Sequence, residues 1–153
     1  MVNLRPMALS DVPEVQALVE RTIRTSYHGV YSPRAIEFFI RYHGEGEIIG
    51  DLREGISLVA VQKNIIIGTA TLRGDLITRV FVEPDEQGRG IGGRLMEALL
   101  EGARKNGLKA VRLDASVVSR EVYEHMGFAL VAERSHDLGD GDSLPYHEMV
   151  RRL

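Results

Sequence analysis

The chain reads as an α/β protein with a mixed, mostly antiparallel sheet, flanking helices and one central β-α-β crossover. Three features lead to this. Between Ile56 and Val82 lie three runs rich in branched side chains, joined by turns too short for anything but antiparallel pairing. A glycine-dense stretch, Gly88 to Gly93, then opens a helical period. Beyond that helix a further strand-like run, Ala110 to Leu113, supplies the far side of a crossover.

Each element has its own justification. Val2 and Leu4 alternate with Asn3 and Arg5 as a short first strand reaching Pro6. Asp11, three residues before Glu14, has the spacing of a capping box, and Pro13 is tolerated in a first helical turn. Val12, Val15, Leu18, Val19, Thr22 and Ile23 follow at helical spacing. Ser32-Pro33 is a second start signal, with Ile36, Phe39 and Ile40 as the buried face. Glu47 to Arg53 is expected to form a short turn or two, ended by Gly55.

The meander follows: Ile56 to Val61, a turn at Lys63-Asn64, Ile65 to Leu72, a turn at Arg73-Gly74-Asp75, and Leu76 to Val82, closed by Pro84. Ile91, Leu95, Leu99 and Ala103 form a helical stripe that Met96 and Leu100 widen, and Asn106-Gly107 ends it. Val117 to Met126 is expected to be a short helix before Gly127. Phe128 to Glu133 and Tyr146 to Val150 are expected to be the last strands. Between them His136 to Ser143 reads as an exposed, mobile polar loop.

The composition narrows the function classes. At 153 residues, with 44% hydrophobic and 27% charged side chains, the chain fits one domain over residues 1–153. The absence of cysteine excludes disulfides, thiolate metal sites and cysteine nucleophiles. A formal charge of −3 argues against nucleic-acid and membrane-surface partners, which need a basic field. Met1 to Asp11 lacks the apolar stretch of a signal peptide, so a cytoplasmic location is expected. The five histidines have no metal-ligand spacing, and no metal is expected.

The glycines carry the strongest signal. Between a strand and a helix, free backbone N–H groups and the helix dipole can hold a phosphate. Gly88, Gly90 and Gly93 satisfy G-x-G-x-x-G, and Asp114 ends the next strand, as a dinucleotide fingerprint asks. Against that reading, Glu83 to Gln87 separate strand from glycine, and the preceding strands form a meander. Gln87, Gly90 and Gly92 also satisfy Q-x-x-G-x-G. With Val80-Phe81-Val82-Glu83-Pro84 before the loop and Ile91-Gly92-Gly93-Arg94-Leu95 after it, this resembles the acetyl-CoA loop of the GNAT family of N-acetyltransferases. Leu113-Asp114-Ala115-Ser116 and Val122-Tyr123-Glu124-His125-Met126-Gly127-Phe128 resemble the family's second signature.

The resemblance implies a cofactor, acetyl-CoA, and a set of residues. Gln87, Gly88, Arg89, Gly90, Ile91, Gly92, Gly93 and Arg94 would hold its pyrophosphate, and the edge of Val80, Phe81 and Val82 would pair with its arm. An N–H near Val82 would polarise the thioester carbonyl, an oxyanion-hole role. Tyr123 would be the general acid for the departing thiolate. Ser116 stands where many relatives carry asparagine and would hydrogen-bond the arm. The base is open among Asp75, Glu83, Asp114 and ordered water. Tyr27, His28 and Tyr31, between the first helices, and Tyr146 and His147, on the last strand, are the candidates for the acceptor site. The partner is expected to be a small-molecule or peptide amine, and a homodimer is compatible with the family. A catalytically silent acyl-CoA sensor is the rival reading.

Overall fold

The computed structural model describes residues 1–153. Strand β1 (Asn3–Pro6) leads into α1 (Val12–Ser26), α2 (Pro33–Tyr42) and α3 (Glu45–Glu54). The meander is β2 (Ile56–Gln62), β3 (Ile65–Arg73) and β4 (Leu76–Val82). Then come α4 (Ile91–Lys105), β5 (Ala110–Ser116), the one-and-a-half-turn α5 (Arg120–His125), β6 (Ala129–Gly139) and β7 (Asp142–Arg152). The seven strands form one sheet in the order β1-β2-β3-β4-β5-β7-β6. Every neighbouring pair is antiparallel except β4–β5, the expected crossover. No helix is long and apolar enough to cross a membrane.

Side-chain alternation on the strands builds a core on each face of the sheet. Ala60 and Ile67 pack with Ile91, Leu95, Met96, Leu99 and Leu100 of α4, whereas Val59 and Ile66 pack with Val15, Leu18, Val19 and Ile23 of α1. The α4 stripe read from the sequence is therefore the buried face. Lys63 and Asn64 both take positive φ, 52° and 63°, as a two-residue hairpin turn requires.

Three local expectations are corrected. The capping box is not formed: Asp11 instead accepts from Ala8 N at 2.7 Å and from Arg5, while Glu14 accepts from Ile66 N at 2.8 Å. A carboxylate that satisfies a strand N–H is more useful to the fold than one that repeats an end cap. The last helix is shorter than expected, because Val117 to Ser119 form a turn and Val117 N donates to the Tyr31 hydroxyl at 2.9 Å. The third correction matters most for function. His136 to Ser143 is no loop, because β6 and β7 continue through it and turn at Asp140-Gly141, with φ of 54° and 76°. An Asp-Gly pair is a strong two-residue hairpin signal, and here it outweighs the polar composition around it.

Candidate active site

Strands β4 and β5 pair only at Leu76–Arg112 and Ile77–Leu113, and then diverge. The rest of β4 therefore presents an unpaired edge to a cleft. A cavity of about 430 Å³ fills this cleft, lined by Val80, Phe81 and Val82, by the glycine loop, and by Ser119, Val122, Tyr123 and Met126 around α5. Tyr27, Thr22 and Ser26 close it from the α1 side.

The loop is shaped for an anion. Pro84 to Glu86 make a 3₁₀ turn, and Gln87 then donates from Nε2 to Val82 O at 3.0 Å, folding the loop back onto the strand. Gly88 and Gly90 take φ of 81° and 79°, and a Cβ at either would meet nothing within 4 Å, so the space in front of them is open. These left-handed positions favour glycine. The first backbone bond of α4 runs from Arg94 N to Gly90 O at 3.0 Å, which leaves the N–H groups of Gly88 to Gly93 without a backbone partner. Orphan donors at a helix start with the positive end of its dipole suit a pyrophosphate. The residues present fit the cofactor that the motif implies.

Of the other cofactor candidates, Ile91, Gly92 and Gly93 line the cavity. Arg89 and Arg94 do not: Arg89 pairs with Glu86, and Arg94 donates to Val2 O at 3.3 Å. Ser116 is buried with its hydroxyl 3.0 Å from that of Ser119. The dinucleotide fingerprint fails on topology, since the sheet is mostly antiparallel and the 3₁₀ turn separates β4 from Gly88.

Tyr123 reaches the cavity from α5, its ring edge-on to Phe128 at 5.9 Å. Burial pushes its phenol above the ordinary tyrosine value, and neighbouring Tyr27 adds to the shift. The hydroxyl therefore holds its proton at every pH of interest.

The acceptor candidates separate. Tyr27 lines the cofactor cleft, its phenol pushed up by burial against the opposing pull of Ser116 and Ser119. Tyr31 is a structural pin, donating to Pro145 O at 2.7 Å and accepting from Val117 N. Tyr146 lines a second cavity of about 310 Å³, whereas His28 and His147 line neither cavity. His147 alternates with Tyr146 and so shares the sheet face of Met149, facing away from that cavity. Among the base candidates, Glu83 is held by Arg21 in a two-bonded fork (2.9 and 2.5 Å) and Asp75 by Arg112 at 3.0 Å. Asp114 alone has no cation partner.

The sequence reading missed a buried charge cluster beneath the second cavity. Arg79, on β4, is 2% exposed and pairs with Asp51 of α3, itself 3% exposed. Arg73 and Thr78 add contacts to Asp51 at 3.1 and 3.2 Å. Arg79 Nη1 also meets His43 Nδ1 at 3.2 Å. A guanidinium only donates, so Nδ1 must accept and the imidazole proton sits on Nε2. A signal was present: strand alternation puts Arg79 in the same buried row as Phe81.

Burial, with the Arg79 charge beside it, pushes His43 down to about 3. Between that value and the ordinary 6.5, the unfolded chain takes up a proton that the folded one refuses. His43 therefore contributes stability above pH 6.5, and this is lost as pH falls toward 3. The slope is at most about 1.4 kcal/mol per pH unit. Denaturant titrations at pH 4, 5 and 6 should show a shallower pH dependence for His43→Gln than for the wild type. Parallel slopes would contradict the assignment.

A mixed sheet splayed between β4 and β5, with an open anion cradle at the cleft, is an α/β architecture built to hold a phosphate-bearing ligand. The chain belongs to the GNAT acetyltransferases: the family model described as acetyltransferase (GNAT) domain matches residues 27–150. Solved structures agree in fold. A GCN5-related N-acetyltransferase from Rhodopseudomonas palustris is 25% identical, with a TM-score of 0.89 over 99% of this chain and 95% of that one. PaiA N-acetyltransferase from Thermoplasma acidophilum, in complex with coenzyme A, is 18% identical, with a TM-score of 0.82 over 100% and 99%. YncA from Salmonella typhimurium, with its cofactor acetyl-CoA, is 17% identical, with a TM-score of 0.69 over 100% and 94%. No curated protein matches the sequence significantly.

Proposed function

We propose that this chain is an N-acetyltransferase that passes an acetyl group to a primary amine by direct attack, with donor and acceptor bound together. Membership of the family makes acetyl-CoA its cofactor. The observation that carries the proposal is the sharing of one cavity by the open glycine loop, the free edge of β4 and the Tyr123 phenol.

Each part has a task. The N–H groups of Gly88 to Gly93 bind the pyrophosphate, with Gln87 fixing the loop against Val82. Val82 O points away from β3 to meet Gln87, and strand geometry sends the N–H of the same residue the same way, toward the cleft. That N–H is the candidate donor to the reacting carbonyl. When bound, the cofactor supplies an activated thioester carbonyl and a thiolate leaving group. Tyr123 holds a proton at its hydroxyl on the cleft wall, where the leaving sulfur needs one. Proton removal from the amine is assigned to solvent, since Glu83 and Asp75 are tied into ion pairs and Asp114 does not line the cofactor cleft.

A thermal-shift titration with acetyl-CoA, CoA and NAD side by side tests the first half. A ligand at about 100 times its dissociation constant stabilises a native state by about 2.7 kcal/mol. Both CoA species are expected to raise Tm and NAD to leave it alone. A shift with NAD only, or with none of the three, would remove the proposal. Turnover can be followed with a thiol reagent, because a chain without cysteine leaves released CoA as the only thiol. Tight CoA binding with no turnover across a broad amine panel would favour the sensor reading.

A further inference from the structure

Helix α5 carries Tyr123 but is too short to hold its own place. A helix of six residues does not persist in isolation, because nucleation costs more than so few backbone bonds return. Its position is therefore imposed at its ends. At the C-terminal end Phe128 N donates to Tyr123 O at 3.0 Å across Gly127, and Arg151 donates to Met126 O at 2.9 Å. At the N-terminal end the chain leaves β5 through a turn closed by Ser119 N on Ser116 O at 3.0 Å. The first backbone bond of the helix runs from Tyr123 N to Ser119 O at 3.1 Å, so any movement of Ser119 passes directly to Tyr123.

What holds that turn is a hydroxyl from a distant part of the chain. The register that pairs Ser116 with Tyr146 would next pair Val117 with Pro145. Instead the Tyr31 hydroxyl stands between them, accepting from Val117 N at 2.9 Å and donating to Pro145 O at 2.7 Å. Both backbone groups stay bonded, yet they are set roughly 2 Å farther apart than a direct N–H···O bond of about 2.9 Å would leave them. Pro145 has no N–H, so its carbonyl is the one group it can offer to this rung. The ladder ends there without an orphaned polar group, and β5 is released to turn toward the cleft.

The inserted oxygen is itself fixed. Tyr31 is 7% exposed, and its ring packs against Tyr27 and Phe39 with centres 5.4 and 5.0 Å apart. Tyr31 N donates to Tyr27 O at 3.1 Å, which puts both tyrosines in one turn of chain after α1. Tyr27 lines the cleft together with Ser119 and Tyr123.

We propose that Tyr31 is a positioning residue for acetyl transfer: its hydroxyl, inserted as a rung between β5 and β7, fixes the turn that launches α5 and so sets where the Tyr123 hydroxyl stands in the cleft. This rests on the acetyltransferase reading above.

Tyr31→Phe removes the oxygen and keeps the ring, so the fold and the CoA-induced rise in Tm are expected to survive. With acetyl-CoA and any accepted amine, kcat should fall about tenfold while the KM for acetyl-CoA stays within about twofold. The pyrophosphate cradle at Gly88 to Gly93 lies outside the turn and is left as it was. On a Tyr123→Phe background the same substitution should cost less than about twofold, because no acid remains to be displaced. Equal losses in both backgrounds would overturn the proposal. So would wild-type kcat in Tyr31→Phe, or a loss carried by KM, which a general slackening of the cleft produces. Amide NMR of the wild type and Tyr31→Phe gives a readout free of turnover: resonances from Val117 through Tyr123 should move, and those of Gly88 to Gly93 should not. A change that stops short of Tyr123 would equally sink the idea. A wild type that binds CoA and acetylates no amine would remove the acetyltransferase reading and, with it, any acid for Tyr31 to position. Failure of the Tyr31 results alone leaves that reading standing.

Discussion

Tyr123→Phe is expected to lower kcat about a hundredfold while leaving the CoA-induced thermal shift intact. The substitution deletes one oxygen and keeps the ring, so the contact with Phe128 and the wall of the cleft survive. General acids contribute about 10²- to 10⁴-fold, and the lower end applies here for a physical reason. A thiol, near 8.5, is a stronger acid than an ordinary phenol near 10, and burial pushes Tyr123 still higher. Its main service is then a hydrogen bond to the sulfur as negative charge gathers there. The same shift means that deprotonation of Tyr123 contributes no alkaline limb between pH 6 and 10. Steady-state rates of the two proteins across that range, with any accepted amine, check both statements. A variant with wild-type kcat would leave Tyr123 as a packing residue only.

Asp51→Ala is expected to be the most destabilising single substitution outside the apolar core, by about 3–5 kcal/mol. Arg79 is 2% exposed and its charge is compensated by Asp51. Removing the carboxylate leaves a buried guanidinium facing only the neutral His43 imidazole, which accepts a hydrogen bond but carries no compensating charge. At about 2–4 °C per kcal/mol for a chain of this size, Tm should fall by roughly 10 °C. Pairing Asp51→Leu with Arg79→Met should recover much of that loss, since well-packed apolar groups often replace a buried ion pair at no net cost. Urea denaturation of the wild type and the two variants decides the matter. A loss below about 1 kcal/mol in Asp51→Ala would mean that water reaches Arg79. Because Phe81 packs on His43 and lines the cofactor cleft, the cluster also braces the wall between the two cavities.

Local chemistry made much of this protein legible in advance. Turns with obligatory geometry, such as Lys63-Asn64, and a stripe such as Ile91, Leu95 and Leu99 are dictated by neighbours along the chain, and they stand where the sequence places them. So does the glycine loop, whose left-handed glycines and unpartnered backbone N–H groups need no distant partner. Asp140-Gly141 was equally local, but its hairpin was hidden by a polar composition that suits either a loop or an exposed ribbon.

Tertiary structure alone decided which charges are paired. Asp75, Glu83 and Asp114 look alike in the sequence. Partners 37 and 62 residues away along the chain neutralise the first two and leave the third free. Likewise, Arg79, Asp51 and His43 come from three elements, and their burial follows from the packing of α2 and α3 over β4. The second cavity is bounded by α2, the splay of β4 from β5 and the extended hairpin. Backbone geometry is set by a residue and its nearest neighbours, and could be read early. Electrostatic compensation depends on long-range approach, which only the folded chain specifies.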